Sequence, residues 1–242
     1  MENIFDSWLV NSYIAHRGLH DEESPENSLS AFKKAIDAGY PIELDVRMIE
    51  DGTIVVFHDE KISRMTSGDK YIHNFTKDDL ENYTLLHTNE KIPTFEEVLN
   101  LVDGKVPLLV EIKNEGKVGE IERNVYKLLE NYKGKYAVQS FNPYTIEWFK
   151  INAPHVTRGI LSSFFKGDKL ASFKKFALKR MVLNKLCEPQ FISYNYKNLP
   201  NKYVKKYNNL PLIAWAIDSQ QEYEKVIKYC DNIIFEGFTP KV

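Results

Sequence analysis

Cysteine occurs only twice in the 242 residues, at Cys187 and Cys230. No CxxC pair or metal-ligand spacing links them, which argues against a disulfide scaffold. A run of 18 apolar residues is also missing, so no transmembrane helix is expected. The N-terminal stretch "MENIFDSWLVNSYIAHRG" lacks a basic region and a long apolar region, so no signal peptide is expected. Charge of one sign is not in excess. Lys and Arg number 32 against 34 Asp and Glu, a net charge of -2, which gives no global reason to bind nucleic acid or an anionic membrane. A soluble, cytoplasmic chain is the expectation. No GxGxxG follows the first strand-like run, which argues against an open dinucleotide-binding sheet. There is no internal repeat, low-complexity tract or interdomain linker.

What is present is a steady alternation. Apolar residues make up 43%, enough for a sizeable core. "SYIAHR", "IELDV", "PLLVEIK", "YAVQSF", "TRGILS", "FISYNY", "PLIAWAI" and "NIIFEG" read as strands, and helical stretches stand between them. Asn27 is the expected N-cap of the first of these helices and Gly39 its stop, while Thr94 with Glu97 three residues on marks another start. Eight strand-then-helix units in this length predict a single (β/α)8 barrel domain over 1–242. A β-hairpin extends the second strand, and residues from about 59 to 93 form a short excursion, a loop or small lid.

The hairpin raises a question of charge. In "IELDVRMIEDGTIVVFHD", Ile42, Leu44 and Val46 share one face of a strand, while Glu43 and Asp45 share the other. "PLLVEIK" repeats the pattern with Glu111 and Lys113. In a barrel these polar faces point inward at the C-terminal end, where active sites lie. Asp51-Gly52 predicts a two-residue turn, a register that sets Asp45 opposite His58. Three convergent carboxylates repel, so one is protonated or a cation sits among them. An all-oxygen set suits Mg²⁺ or Ca²⁺ better than zinc. Separate structural salt bridges for each carboxylate fit the spacing equally well. His16-Arg17-Gly18 ends the first strand, and its arginine offers paired donors to a phosphate. Carboxylates, two histidines, an arginine and a lysine together suggest phosphoester cleavage.

"AHRG", "PEN" (Pro25-Glu26-Asn27), "ELDV", "VVFHD", "IPTFEEVL", "EIK", "QSF" and "AWAI", in this order, resemble the glycerophosphodiester phosphodiesterases over nearly the whole chain. The resemblance implies a (β/α)8 barrel that hydrolyses small-molecule glycerophosphodiesters to glycerol 3-phosphate and an alcohol. It implies His16 and His58 as the catalytic acid/base pair, and Glu43, Asp45 and Glu111 as ligands of Mg²⁺ or Ca²⁺. Arg17 and Lys113 match phosphate-holding positions, and Trp215 matches an aromatic residue near the substrate mouth, although a tryptophan in "IAWAI" also fits barrel core. A lysophospholipase D-like activity at the same site is the alternative. A barrel that binds phosphodiesters without cleaving them, and a metal-independent phosphatidylinositol phospholipase C, are more remote.

Two departures stand out. The last strand has Glu236 where relatives commonly carry an aspartate, and "SRMTSG" differs slightly from the usual "R-T-T-x-G". The excursion is too short for a large capping domain. Residues 166–185 are strongly basic. A barrel helix burying Phe173, Ala177 and Met181 is the favoured reading, and a lid that meets membranes weakly is the other.

Overall fold

The computed structural model describes residues 3–114, 116–167 and 169–241. Its strands are β1 (Ile14–His16), β2 (Ile42–Met48), β3 (Ile54–Val56), β4 (Leu108–Ile112), β5 (Tyr136–Ser140), β6 (Arg158–Ser162), β7 (Phe191–Asn195), β8 (Leu212–Ile217) and β9 (Asn232–Phe235). Eight are parallel, β3 is the added antiparallel strand, and helices separate the parallel strands. This is the (β/α)8 class that the alternation predicts. The described residues fall into two compact units, Ala15–Tyr136 and the remainder.

In the Ala15–Tyr136 unit, β2 pairs in parallel with β1 on one side and β4 on the other. Ile42, Leu44 and Val46 have no exposure, as their alternation requires. Burial of each contributes about 1.5–3 kcal/mol. The helix Leu29–Asp37 buries Ala31, Phe32 and Ala35. Its N-cap is Ser28, whose hydroxyl accepts from the Ala31 amide, and not Asn27. Asn27 stands one residue outside in the left-handed region, φ 59°, and its side chain is used elsewhere. Gly39 does end the helix, with φ 75°. The Thr94–Glu97 box caps Phe95–Val102 as expected, with the Thr94 amide donating to Glu97 Oε2 at 2.8 Å.

The hairpin corrects the predicted register. Val46 pairs with Val56 and Met48 with Ile54, and the Phe57 amide donates to the Asp45 carbonyl. Asp45 therefore lies opposite Phe57, one residue short of His58. The cause is a longer loop: the Ile49 amide donates to the Thr53 carbonyl, leaving Glu50-Asp51-Gly52 as a three-residue turn. Gly52 supplies the φ of 83° such a loop needs.

The excursion is more than a loop. It carries the 3₁₀ turns Ile62–Arg64, Ile72–Asn74 and Lys77–Asn82. Ile62, Met65, Ile72, Phe75, Leu80 and Leu85 pack with Ile49, Val55 and Phe57 into a core of their own. Its position is thereby fixed on the hairpin.

In the other unit β5 to β9 run parallel in chain order. Asn232 donates to the carbonyls of Leu9 and Ser12 at 2.8 and 2.7 Å, tying the N-terminal turn to β9. The expected basic helix is here two pieces, Ser172–Lys179 and Asn184–Cys187, and Asp168 lies outside the described residues. The expected buried stripe is not formed. Met181, at φ 52°, has left the helix and packs with Ile146, Ile160 and Tyr194, whereas Phe173 is 71% exposed.

Candidate active site

Parallel pairing sets His16 level with Glu43 and Asp45 level with Glu111. Oxygens of Glu43, Asp45 and Glu111 come within 4.8 Å of one another, and all three residues are buried. Lys113 Nζ stands 3.0 Å from Asp45 Oδ1 and 2.6 Å from Glu111 Oε1. Arg17 Nε stands 3.1 Å from Asp45 Oδ2. The Arg17 amide donates to Glu43 Oε2 at 3.3 Å, and His16 Nε2 lies 3.8 Å from the same oxygen. The structure thus brings together six of the residues singled out by sequence: His16, Arg17, Glu43, Asp45, Glu111 and Lys113.

The loop after β1 is built for this. Arg17 adopts φ 54° and Gly18 φ 83°. A Cβ on Gly18 would lie 2.8 Å from the Ala31 backbone, so this tight turn has room only for glycine. The Asn27 amide donates to the Arg17 carbonyl at 3.0 Å. Asn27 Nδ2 donates to Asp45 Oδ2 at 2.9 Å, while its Oδ1 accepts from the Asp45 amide at 3.4 Å. The left-handed backbone that removes Asn27 from the helix cap aims its amide at the carboxylate.

His58 lies just past β3. Arg47 Nε and Nη2 donate to its carbonyl at 2.8 and 2.7 Å, fixing the backbone where the ladder has ended. Its Nδ1 lies 2.5 Å from Asp59 Oδ1. From Asp59 the contacts continue. Arg64 Nε donates to Asp59 Oδ2 at 2.6 Å, and Arg64 Nη2 and Nη1 donate to the two oxygens of Glu26 at 2.7 and 2.8 Å. Glu26 in turn accepts from Arg17 Nη1 at 2.7 Å. Arg64, from the excursion, therefore bridges the carboxylate that holds His58 to the one that holds Arg17. Sequence reading did not place Asn27, Glu26, Asp59 and Arg64 at the candidate site. "PEN" and "HD" were visible as motifs, but nothing in their spacing shows that an arginine joins them.

Burial pushes Glu43 well above the usual carboxylate range, and the charges of Asp45 and Glu111 add to it. Burial also raises Glu111. Burial opposes ionisation of Asp45 too, but Lys113 and Arg17 outweigh it and hold Asp45 well below the usual range. His58 is pushed down to about 4 by burial, with Lys113 and Arg17 adding to the effect against Asp45. Burial raises Asp59, but its hydrogen bonds with Arg64 and His58 win, lowering it to about 2.

Asp45 Oδ1 and Glu111 Oε1 are buried with no aligned hydrogen bond, although the Lys113 ammonium is close. Three buried carboxylates, two of them resisting ionisation, with oxygens to spare, fit a hard divalent cation.

Trp215 belongs to the other unit. It is half-buried, meets the Phe141 ring edge-on at 5.5 Å, and its Nε1 is buried with no hydrogen-bond partner. The Glu236 amide donates to the Ile217 carbonyl at 2.9 Å at the end of β9.

The sequence profile of the glycerophosphoryl diester phosphodiesterase family matches residues 16–236. The chain belongs to this family. It is 32% identical to a glycerophosphodiester phosphodiesterase of Caldanaerobacter subterraneus, over 89% of each chain. Among solved structures it resembles a phosphodiesterase of Oleispira antarctica in complex with the product sn-glycerol-3-phosphate. The TM-score is 0.79 at 23% identity, covering 93% of this chain and 92% of that one. A glycerophosphodiester phosphodiesterase of Parabacteroides distasonis superposes with TM-score 0.74 at 26% identity, over 93% and 92% of the two chains. The family member described here is accordingly an enzyme, a phosphoric diester hydrolase with a (β/α)8 barrel fold. No helix among the described residues is long and apolar enough to cross a membrane.

Proposed function

We propose that the chain hydrolyses glycerophosphodiesters to glycerol 3-phosphate and an alcohol, with Mg²⁺ or Ca²⁺ held by Glu43, Asp45 and Glu111. The observation that carries this reading is the convergence of three buried carboxylates between Arg17 and Lys113. The bound cation would supply charge neutralisation at the phosphate oxygens. Arg17 and Lys113 are the proposed donors to the phosphate oxygens, and Lys113 would no longer be alone in neutralising Asp45 and Glu111 once a cation is bound. With Nδ1 engaged by Asp59, His58 presents Nε2, and its lowered pKa keeps that nitrogen unprotonated near neutral pH. His58 is thus suited to take a proton from the attacking oxygen, either water or the glycerol 2-hydroxyl. His16, at the end of β1 beside Glu43, is suited to protonate the leaving alcohol. The product bound in the Oleispira relative supports the same product here. Two free cysteines agree with a cytoplasmic setting.

The test is release of glycerol 3-phosphate from a panel of glycerophosphodiesters, with Mg²⁺, Ca²⁺ or EDTA. Metal-restored release is expected. Turnover confined to lysophospholipids would replace this reading with a lysophospholipase D, and activity untouched by exhaustive chelation would remove the cation from it.

A further inference from the structure

The segment that leaves the C-terminal end of β6 behaves unlike the other helices of eight or more residues. The helices Leu29–Asp37, Phe95–Val102, Glu120–Leu129 and Pro143–Asn152 each bury three or four side chains, whereas Ser172–Lys179 buries none. Ten large apolar residues are exposed among those described, and five of them, Leu170, Phe173, Phe176, Val182 and Leu186, fall within this one stretch. Phe173 is 71% and Phe176 48% exposed. They stand three apart on one helix and so share a face. The residues from 164 to 187 also carry seven Lys or Arg against a single acidic residue. Arg180 stacks its guanidinium over the Phe176 ring at 3.6 Å, placing a cation against the apolar face.

We infer that this segment is a membrane-surface anchor that inserts Phe173 and Phe176 between lipids and pairs its lysines with anionic headgroups. An exposed apolar face fringed by cations matches an interface of apolar chains beneath negative charge. Lysine stems can lie along the apolar layer while their ammonium groups stay at headgroup level. A second copy of the chain is a poorer occupant. A two-fold contact would bring the patch against itself and oppose like charges. The anchor is independent of the reaction assigned above, and the two fail separately.

Co-sedimentation with vesicles tests it, using phosphatidylcholine alone and phosphatidylcholine mixed with phosphatidylglycerol. The chain should bind the mixed vesicles at least about tenfold better than the neutral ones, with binding weakened by salt. Phe173→Ser with Phe176→Ser, and separately Lys174→Glu with Lys175→Glu, should each reduce binding about tenfold. Circular dichroism and the urea-unfolding midpoint should not change in either, which shows that the variants fold, and release of glycerol 3-phosphate from a soluble substrate should stay as in wild type. Absence of vesicle binding, or equal binding to both compositions, would overturn the inference. So would a dimer in lipid-free solution that the Phe pair substitution dissolves, since the patch would then be a self-association surface.

Discussion

The cluster around Asp45 and the segment from Leu170 to Leu186 are both rich in charge, but their charges sit in opposite surroundings. Around Asp45 the charges are buried, and Lys113, Arg17 and Asn27 stand within 2.9–3.1 Å of its carboxylate. Along the helix Ser172–Lys179 no side chain is buried, and Ser172, Phe173, Lys174 and Phe176 are exposed to water. Buried charge is tolerated only when partners are fixed in place, and removing one partner strands the others. Exposed charge tolerates substitution because water replaces what is lost. The first region is therefore expected to be brittle and the second forgiving, in fold as well as in activity.

The largest effect should come from Asp45→Asn. It leaves Lys113 and Arg17 without their common counter-charge and removes a proposed cation ligand. We expect glycerol 3-phosphate release to fall by about 10³ or more and urea denaturation to show a loss of about 3 kcal/mol. An unchanged midpoint would mean that the cluster is not held together by charge. Next is His58→Ala, with an expected turnover loss of about 10²–10⁴ at nearly unchanged stability. Near-normal turnover would remove His58 from the proposed mechanism.

Arg64→Ala should have an intermediate effect. It breaks the bridge between Glu26 and Asp59 without touching the carboxylate cluster. A roughly tenfold loss in kcat is expected, partly recovered in Arg64→Lys, whose ammonium keeps the charge but not the forked geometry. Equal kinetics in wild type and Arg64→Ala would show that Arg64 only pins the excursion to the unit.

The same bridge predicts an acid response. Asp59 is held at about 2 in the folded chain, below its unfolded value. A depressed pKa contributes stability fully above the unfolded value, about 4, and that stability is lost as pH falls through the folded value. Between those two pH values Asp59→Asn should lose less stability than wild type, by at most about 2 kcal/mol. Parallel curves would contradict the shift. The smallest effect belongs to the forgiving region. Lys174→Ala should move the unfolding free energy by no more than about 0.5 kcal/mol.

The same contrast explains what was legible in the sequence. The strand–helix alternation and the inward carboxylates follow from local periods of 3.6 and 2, which burial enforces, so Glu43, Asp45 and Glu111 could be picked out from the chain alone. The hairpin register could not. Asp51-Gly52 suits a two-residue or a three-residue turn, and the hydrogen bond from the Ile49 amide to Thr53 selects the longer one. Asn27 looked like a helix cap because Asn and Ser are both good caps. Only the positive φ at Asn27 shows which does the work. The link through Arg64 joins residues 38 positions apart and leaves no periodic trace. Phe173, Ala177 and Met181 have helical spacing, but the helix stops at Lys179, and the stripe exists only on paper.

Isothermal titration of Mg²⁺ or Ca²⁺ into the wild-type chain and into Asp45→Asn is the most direct test of the central claim, that the buried carboxylates form a cation site. The account predicts one site per chain in wild type, weakened at least about tenfold by the substitution. Equal affinity in the two chains, or no binding by a fully active wild type, would contradict it.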